Sequence, residues 1–80
     1  MPKVDIPGPY RFHFFSDEAA EPPHVHVKRG KAICKFWLAP LALMKNQGFA
    51  VHELNKIEHL IIENHTKIDD AWHEHFRHRD

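Results

Sequence analysis

The stretch Glu21-Pro-Pro-His-Val-His-Val27 sets two imidazoles two residues apart, directly after a pair of prolines. In an extended strand, positions two apart point to the same side, so His24 and His26 share one face and Val25 and Val27 the other. Imidazole ligates metals, moves protons near neutral pH and, as a cation, binds phosphate. Three chemistries follow. His24 and His26, with His13 beside them, have the ligand type of a catalytic zinc site with an open position. Two imidazoles flanking a phosphate can act as general base and general acid without a protein nucleophile, as in metal-free RNA cleavage. A face that mixes histidine and lysine with aromatics can hold phosphates and stack bases. The plainer reading is a solvated sheet face kept soluble by its lysines, whose apolar members meet a partner chain.

The elements that position these residues are legible from alternation and punctuation. Tyr10-Arg-Phe-His-Phe-Phe15 is aromatic and alternating, as a strand requires. Ser16 to Pro23 is acidic and turn-like. His24 to Lys28 reads as the second strand and Lys31 to Leu38 as the third, with Arg29-Gly30 as a two-residue hairpin turn. That turn pairs Lys28 with Lys31, Val27 with Ala32, His26 with Ile33, Val25 with Cys34 and His24 with Lys35. Cross-strand partners share a face. Val25, Val27, Ala32, Cys34, Phe36 and Leu38, joined by Phe12 and Phe14, then form the core side. His24, His26, Lys28, Lys31, Ile33, Lys35 and Trp37 form the other side, with Arg11, His13 and Phe15. This second face is expected to point away from the helices and to carry no acidic residue. Its candidate ligand-binding set is His13, His24, His26, Lys28, Lys31, Lys35 and Trp37.

Residues 1–9, with three prolines, read as an irregular lead-in, and Pro40 as the end of the sheet. Leu41 to Gly48 is ambiguous and compatible with a helical turn. Beyond Phe49 the apolar period becomes helical: Leu54, Ile57, Leu60, Ile61, Ile68, Ala71, Trp72 and Phe76 recur at three and four. Asn64-His65-Thr66 either breaks this region into two helices or kinks it. The expectation is one α+β domain over 1–80: a three-stranded antiparallel sheet over 10–38, and one or two C-terminal helices over 50–78 packed on one face.

Eighty residues make a thin core, so association with another chain is expected to supply part of the stability. The single cysteine, Cys34, closes no intrachain disulfide, which suits a reducing cytosol. The first residues lack the apolar stretch of a signal peptide, and no apolar run is long enough for a membrane span. Eleven basic residues balance eleven acidic ones, so the nine histidines decide how charge builds as acid is added. Residues 1–40 carry six Lys/Arg against four Asp/Glu, and residues 41–80 carry five against seven, which hints at two different surfaces.

Nucleophilic catalysis has little support: Ser16 lacks a Gly-rich elbow and Cys34 reads as core. The C-terminal run His73-Glu-His-Phe-Arg-His78 is not a metalloprotease helix motif. A solvated helix end, with cations near the negative pole of the dipole, explains it more simply.

Two resemblances add to this reading. His24-Val-His26-Val-Lys28 is similar to the strand of the histidine-triad nucleotide hydrolases, with lysine where a third histidine would stand. A match over nearly the whole chain is carried by Tyr10-Arg-Phe-His-Phe-Phe-Ser16, Pro23-His-Val-His-Val27, Lys35-Phe-Trp-Leu38 with Pro40, Asn46-Gln-Gly-Phe49, Glu53-Leu54, Glu63-Asn64 and Ala71-Trp-His-Glu-His-Phe76. In these the chain resembles the small bacterial proteins of domain-of-unknown-function family 4160. That resemblance implies a cytosolic component of a two-gene, toxin–antitoxin-like module with a short cognate partner, with RNA or nucleotides as the expected targets. The leading expectation is therefore a protein that binds RNA or another phosphate-bearing ligand through its open sheet face. The alternatives are a non-catalytic interaction protein, using Phe15, Ile33 and Trp37 to pair with a cognate partner or a second copy, and a metal-dependent enzyme with zinc on His24 and His26.

Overall fold

The computed structural model describes residues 3–14 and 21–77. Its elements are β1 (Lys3–Val4), β2 (Arg11–His13), β3 (His24–Arg29), β4 (Ala32–Leu38), β5 (Leu41–Gln47), α1 (Val51–Glu63) and α2 (His65–Arg77). All neighbouring strands pair antiparallel in the order β1-β2-β3-β4-β5. The α+β class and the two C-terminal helices agree with the sequence reading, but the sheet has five strands rather than three.

Both added strands are edge strands, and that is why alternation did not reveal them. β1 is two residues long, squeezed between prolines. In β5 six of seven residues are exposed, so Leu41-Ala-Leu-Met-Lys-Asn-Gln47 has no apolar stripe to read. Pro40 does not end the sheet. It sits in the turn between β4 and β5, where Leu38 pairs with Leu41 and no N–H is asked of a proline. Gly48 then leaves β5 with φ +102°, and a Cβ there would lie 3.2 Å from Ala32. The Asn46 side chain closes this exit by bonding both the N–H and the carbonyl of Phe49.

The hairpin register also differs. Arg29 pairs with Ala32, Val27 with Cys34, Val25 with Phe36, His26 with Lys35 and His24 with Trp37. The turn is therefore Gly30-Lys31, with Gly30 at φ +60° in the first central place, where a type II′ turn needs positive φ. The shift moves each pair by two residues, so every side chain keeps its face while changing its partner.

The inner face joins the helices in one core of Val4, Phe12, Phe14, Val25, Val27, Cys34, Phe36, Leu38, Ile57, Ile61, Ile68 and Trp72, with Ile6, Tyr10 and Phe49 beside them. Each such aliphatic or aromatic side chain contributes about 1.5–3 kcal/mol by leaving water. Glu53 in the first turn of α1 ties that helix to the sheet, accepting from Tyr10 Oη and pairing with Arg29. The helical region breaks at Asn64. Its side-chain amide and its N–H both bond the Leu60 carbonyl, while its own carbonyl accepts from the Ile68 N–H and starts α2. Lys67 of α2 bonds the Asp5 carbonyl and so holds the N-terminal segment. Among the described residues, no helix is long and apolar enough to cross a membrane.

Candidate functional site

The five-stranded register gathers side chains that the sequence keeps far apart. Lys3 pairs with His13, His13 with His26, His26 with Lys35 and Lys35 with Lys45. Direct cross-strand partners share a face. One basic row thus crosses all five strands, about 19 Å at the usual strand spacing. A second row, Arg11, Lys28, Ile33 and Gln47, runs beside it, and a third begins with His24 and Trp37. The helices lie on the opposite side of the sheet.

At the centre of the first row the His13 and His26 rings stack, with centroids 5.5 Å apart and planes within 18° of parallel. They line an open cleft of about 730 Å³ together with Lys3, Asp5, Arg11 and Lys28. Both imidazoles are half-buried. The site residues expected from the sequence are thus partly assembled: His13, His26, Lys28, Lys35 and Trp37 lie on the outer face.

Two of them depart from expectation. Lys31 stands in the hairpin turn rather than on a strand, because Gly30 takes the first turn position. His24 has the outer-face register but is fully buried, at 0% exposure. Its ring packs against Trp72 of α2 at 5.1 Å, against Trp37 at 5.7 Å and against His26 at 5.3 Å. Its Nδ1 donates to the Pro22 carbonyl at 2.9 Å. A carbonyl oxygen can only accept, so this nitrogen carries its proton. The expectation that His24 faces away from the helices is therefore corrected. At the end where β2 leaves the sheet and β3 enters it, Trp72 contacts both Phe14 and His24 and closes the corner.

The expectation of a face without carboxylates is corrected too. Glu21 reaches Lys35 Nζ at 3.3 Å and lies 3.8 Å from His24 Nδ1, and Asp5 lines the cleft. Pro22 and Pro23 turn the chain back, which brings Glu21 over β4. Lys3 and Lys45 belong to the row without any sign in the sequence, since both sit on the edge strands that alternation does not reveal. Arg11, expected on this face but not in the candidate ligand-binding set, pairs with Lys28.

Among the described residues, no group of three or more His, Cys, Asp or Glu side chains converges as a metal site would require. On α2, His73 is exposed and lies 3.6 Å from Asp69, and His75 rests edge-on against the Phe76 ring. Phe15, Ser16 and His78 lie outside the described residues. Cys34 is buried on the inner face, and burial pushes its thiol up to about 12. A thiol so disposed is no nucleophile near neutral pH.

A family model described as a domain of unknown function (DUF4160) matches residues 10–73. The chain belongs to this family. The match spans β2 through most of α2, and so contains the stacked histidines, the Gly30-Lys31 hairpin and Trp72 of this DUF4160 protein. No curated protein and no solved structure matches the chain.

Proposed function

We propose that this DUF4160 protein binds RNA, or a ligand presenting the same phosphates, along the outer face of its sheet. One observation carries the reading: the row Lys3–His13–His26–Lys35–Lys45, in which every strand contributes a basic or imidazole side chain at one level. Lys28 and Arg11 thicken the row, and half-buried Trp37 stands beside it as a surface on which a base can stack. The family resemblance adds a setting: a two-gene module of toxin–antitoxin type, in which a short cognate chain regulates access to this face.

Salt and two lysines test the reading. Binding of a single-stranded RNA oligonucleotide should weaken with salt, with a log–log slope of about −0.7 for each phosphate neutralised. Lys28→Ala should lower that slope by about one such step, while Lys31→Ala, three residues away at the hairpin tip, should leave it nearly unchanged. Equal effects of the two substitutions would mean that overall charge, not the outer face, attracts the RNA. As acid adds positive charge to imidazoles, affinity should rise between pH 7.5 and 5.5; a histidine-held metal would give the opposite sign, since protons compete for the ligands.

A second reading rests on β5. This edge strand exposes Leu43 at 45% and Met44 at 42%. An exposed edge with apolar side chains is a template for a partner strand. Salt-insensitive RNA binding, or none, would leave pairing with a cognate chain or a second copy as the function of the molecule.

A further inference from the structure

We propose that His13 and His26 are a general base and general acid that cleave RNA in the cleft of the outer face. The inference rests on the phosphate-binding reading above and goes past it to a reaction.

The argument begins with the geometry of the pair. The two rings are direct cross-strand partners, nearly parallel, with centroids 5.5 Å apart. The separation of the rings suits one phosphate group held between two donors, since hydrogen bonds of about 2.8 Å to two of its oxygens span such a gap. The surroundings suit an anion whose charge increases during reaction. Lys3, Arg11 and Lys28 line the same cleft, and fixed cations beside a developing charge stabilise the transition state.

The second step asks where the nucleophile comes from. Cys34 faces the core with its thiol pushed up to about 12, and Thr66 is on α2, across the sheet. RNA carries its own nucleophile, the 2′-hydroxyl adjacent to each phosphodiester. One imidazole accepts the 2′-hydroxyl proton as that oxygen attacks phosphorus. The P–O5′ bond breaks, and the other ring, as imidazolium, delivers its proton to the departing 5′ oxygen. The products are a 2′,3′-cyclic phosphate and a 5′-hydroxyl. One proton enters the pair and one leaves it, and neither metal nor co-reactant is consumed. DNA lacks the 2′-hydroxyl and would be bound without being cut.

The pair works with one ring neutral and the other protonated, so the rate should pass through a maximum with pH. The titratable and charged groups that face it, among the described residues, are Lys3 from β1, Arg11 from β2, His24 and Lys28 from β3, Lys35 from β4, Lys45 from β5, and the carboxylates of Asp5 and Glu21. The helices lie behind the sheet.

The test incubates the purified chain with an unstructured RNA oligonucleotide and with DNA of the same sequence, in EDTA, and follows binding and products together. The expected result is RNA cut to fragments with 2′,3′-cyclic phosphate ends, intact DNA and a bell-shaped pH–rate profile. His13→Ala and His26→Ala should each slow cleavage by about 10²-fold or more, with RNA affinity changed far less. His13→Gln and His26→Gln, which keep the bulk and a polar end, should be as slow as the alanine variants and melt with the parent. RNA bound but uncut at every pH overturns the inference and leaves the binding reading standing. Cleavage that survives both substitutions, or that EDTA abolishes, overturns it as well. RNA that is not bound at low salt overturns both readings together.

Discussion

The outer face of the sheet has a covered end and an open middle, and one strand supplies a histidine to each. His24 begins β3 and is fully buried between Trp37 and Trp72, with Nδ1 committed to the Pro22 carbonyl. His26, two residues on, lies half-buried in a cleft, stacked on His13 among cations. Residue type, strand and face are the same. The difference lies in what surrounds each: at the end, Trp72 of α2 and the two prolines; in the middle, the cations of the row and the lining of the cleft. Alternation assigns a side chain to a face, but tertiary neighbours decide whether that face is a core or a site. His24 thus belongs with the structure that holds the strand in place, and the proposed chemistry falls to His26.

The largest expected effect strikes the covered end. Trp72 touches His24 at 5.1 Å, Phe14 edge-on at 5.3 Å and Phe76 at 4.1 Å, and is 5% exposed. Trp72→Ala should cost about 3–5 kcal/mol in urea denaturation, a large share of the stability of a domain this small. A loss below about 1 kcal/mol would mean that the corner is not sealed, and the contrast between the two histidines would fail with it.

Next in size is His24→Ala. It opens a cavity under Trp72 and leaves the Pro22 carbonyl without its donor, so a cost on the order of 2 kcal/mol is expected. The same variant should retain RNA affinity under conditions where the fold is intact. A variant that stayed fully stable and lost binding would move His24 back into the site.

How much of this was legible follows from where burial leaves a signal. The inner face could be read residue by residue from Phe12 to Leu38, and the helical stripe through Ile57, Ile61, Ile68 and Trp72, because a buried stripe repeats at the period of its element. β1 and β5 could not, since a two-residue strand is too short to show a period and β5, with six of seven residues exposed, has no stripe. That hid Lys3 and Lys45, and with them the full length of the basic row. The Gly30 turn was visible, but whether glycine took the first or second central place was not, and that choice set the register. The shift by two preserved the faces, which is why His13, His26, Lys28 and Lys35 were still placed together. The burial of His24 had no local signal at all. Its cause, Trp72, lies forty-eight positions away in sequence.

The smallest expected change in stability, and the sharpest test of the comparison, is His26→Ala. Its ring is half-buried and meets the rings of His13 at 5.5 Å and His24 at 5.3 Å, contacts worth about 0.5–1.5 kcal/mol each in aromatic pairs. Part of that is regained because the exposed cleft refills with water, so the net cost should stay below that of His24→Ala. The difference between the two alanine variants is thus a direct reading of coverage, because strand position, residue type and face are held constant. Urea midpoints measured at equal slope give that difference without any assumption about ligand. If His26→Ala proved as costly as His24→Ala, the middle of the row would be core-like, and a stacked imidazole pair would be part of the scaffold. If it costs little, the stacking of His13 and His26 is not there for stability, and two titratable rings held parallel beside Lys28 and Arg11 are left with their chemistry as the reason for their placement.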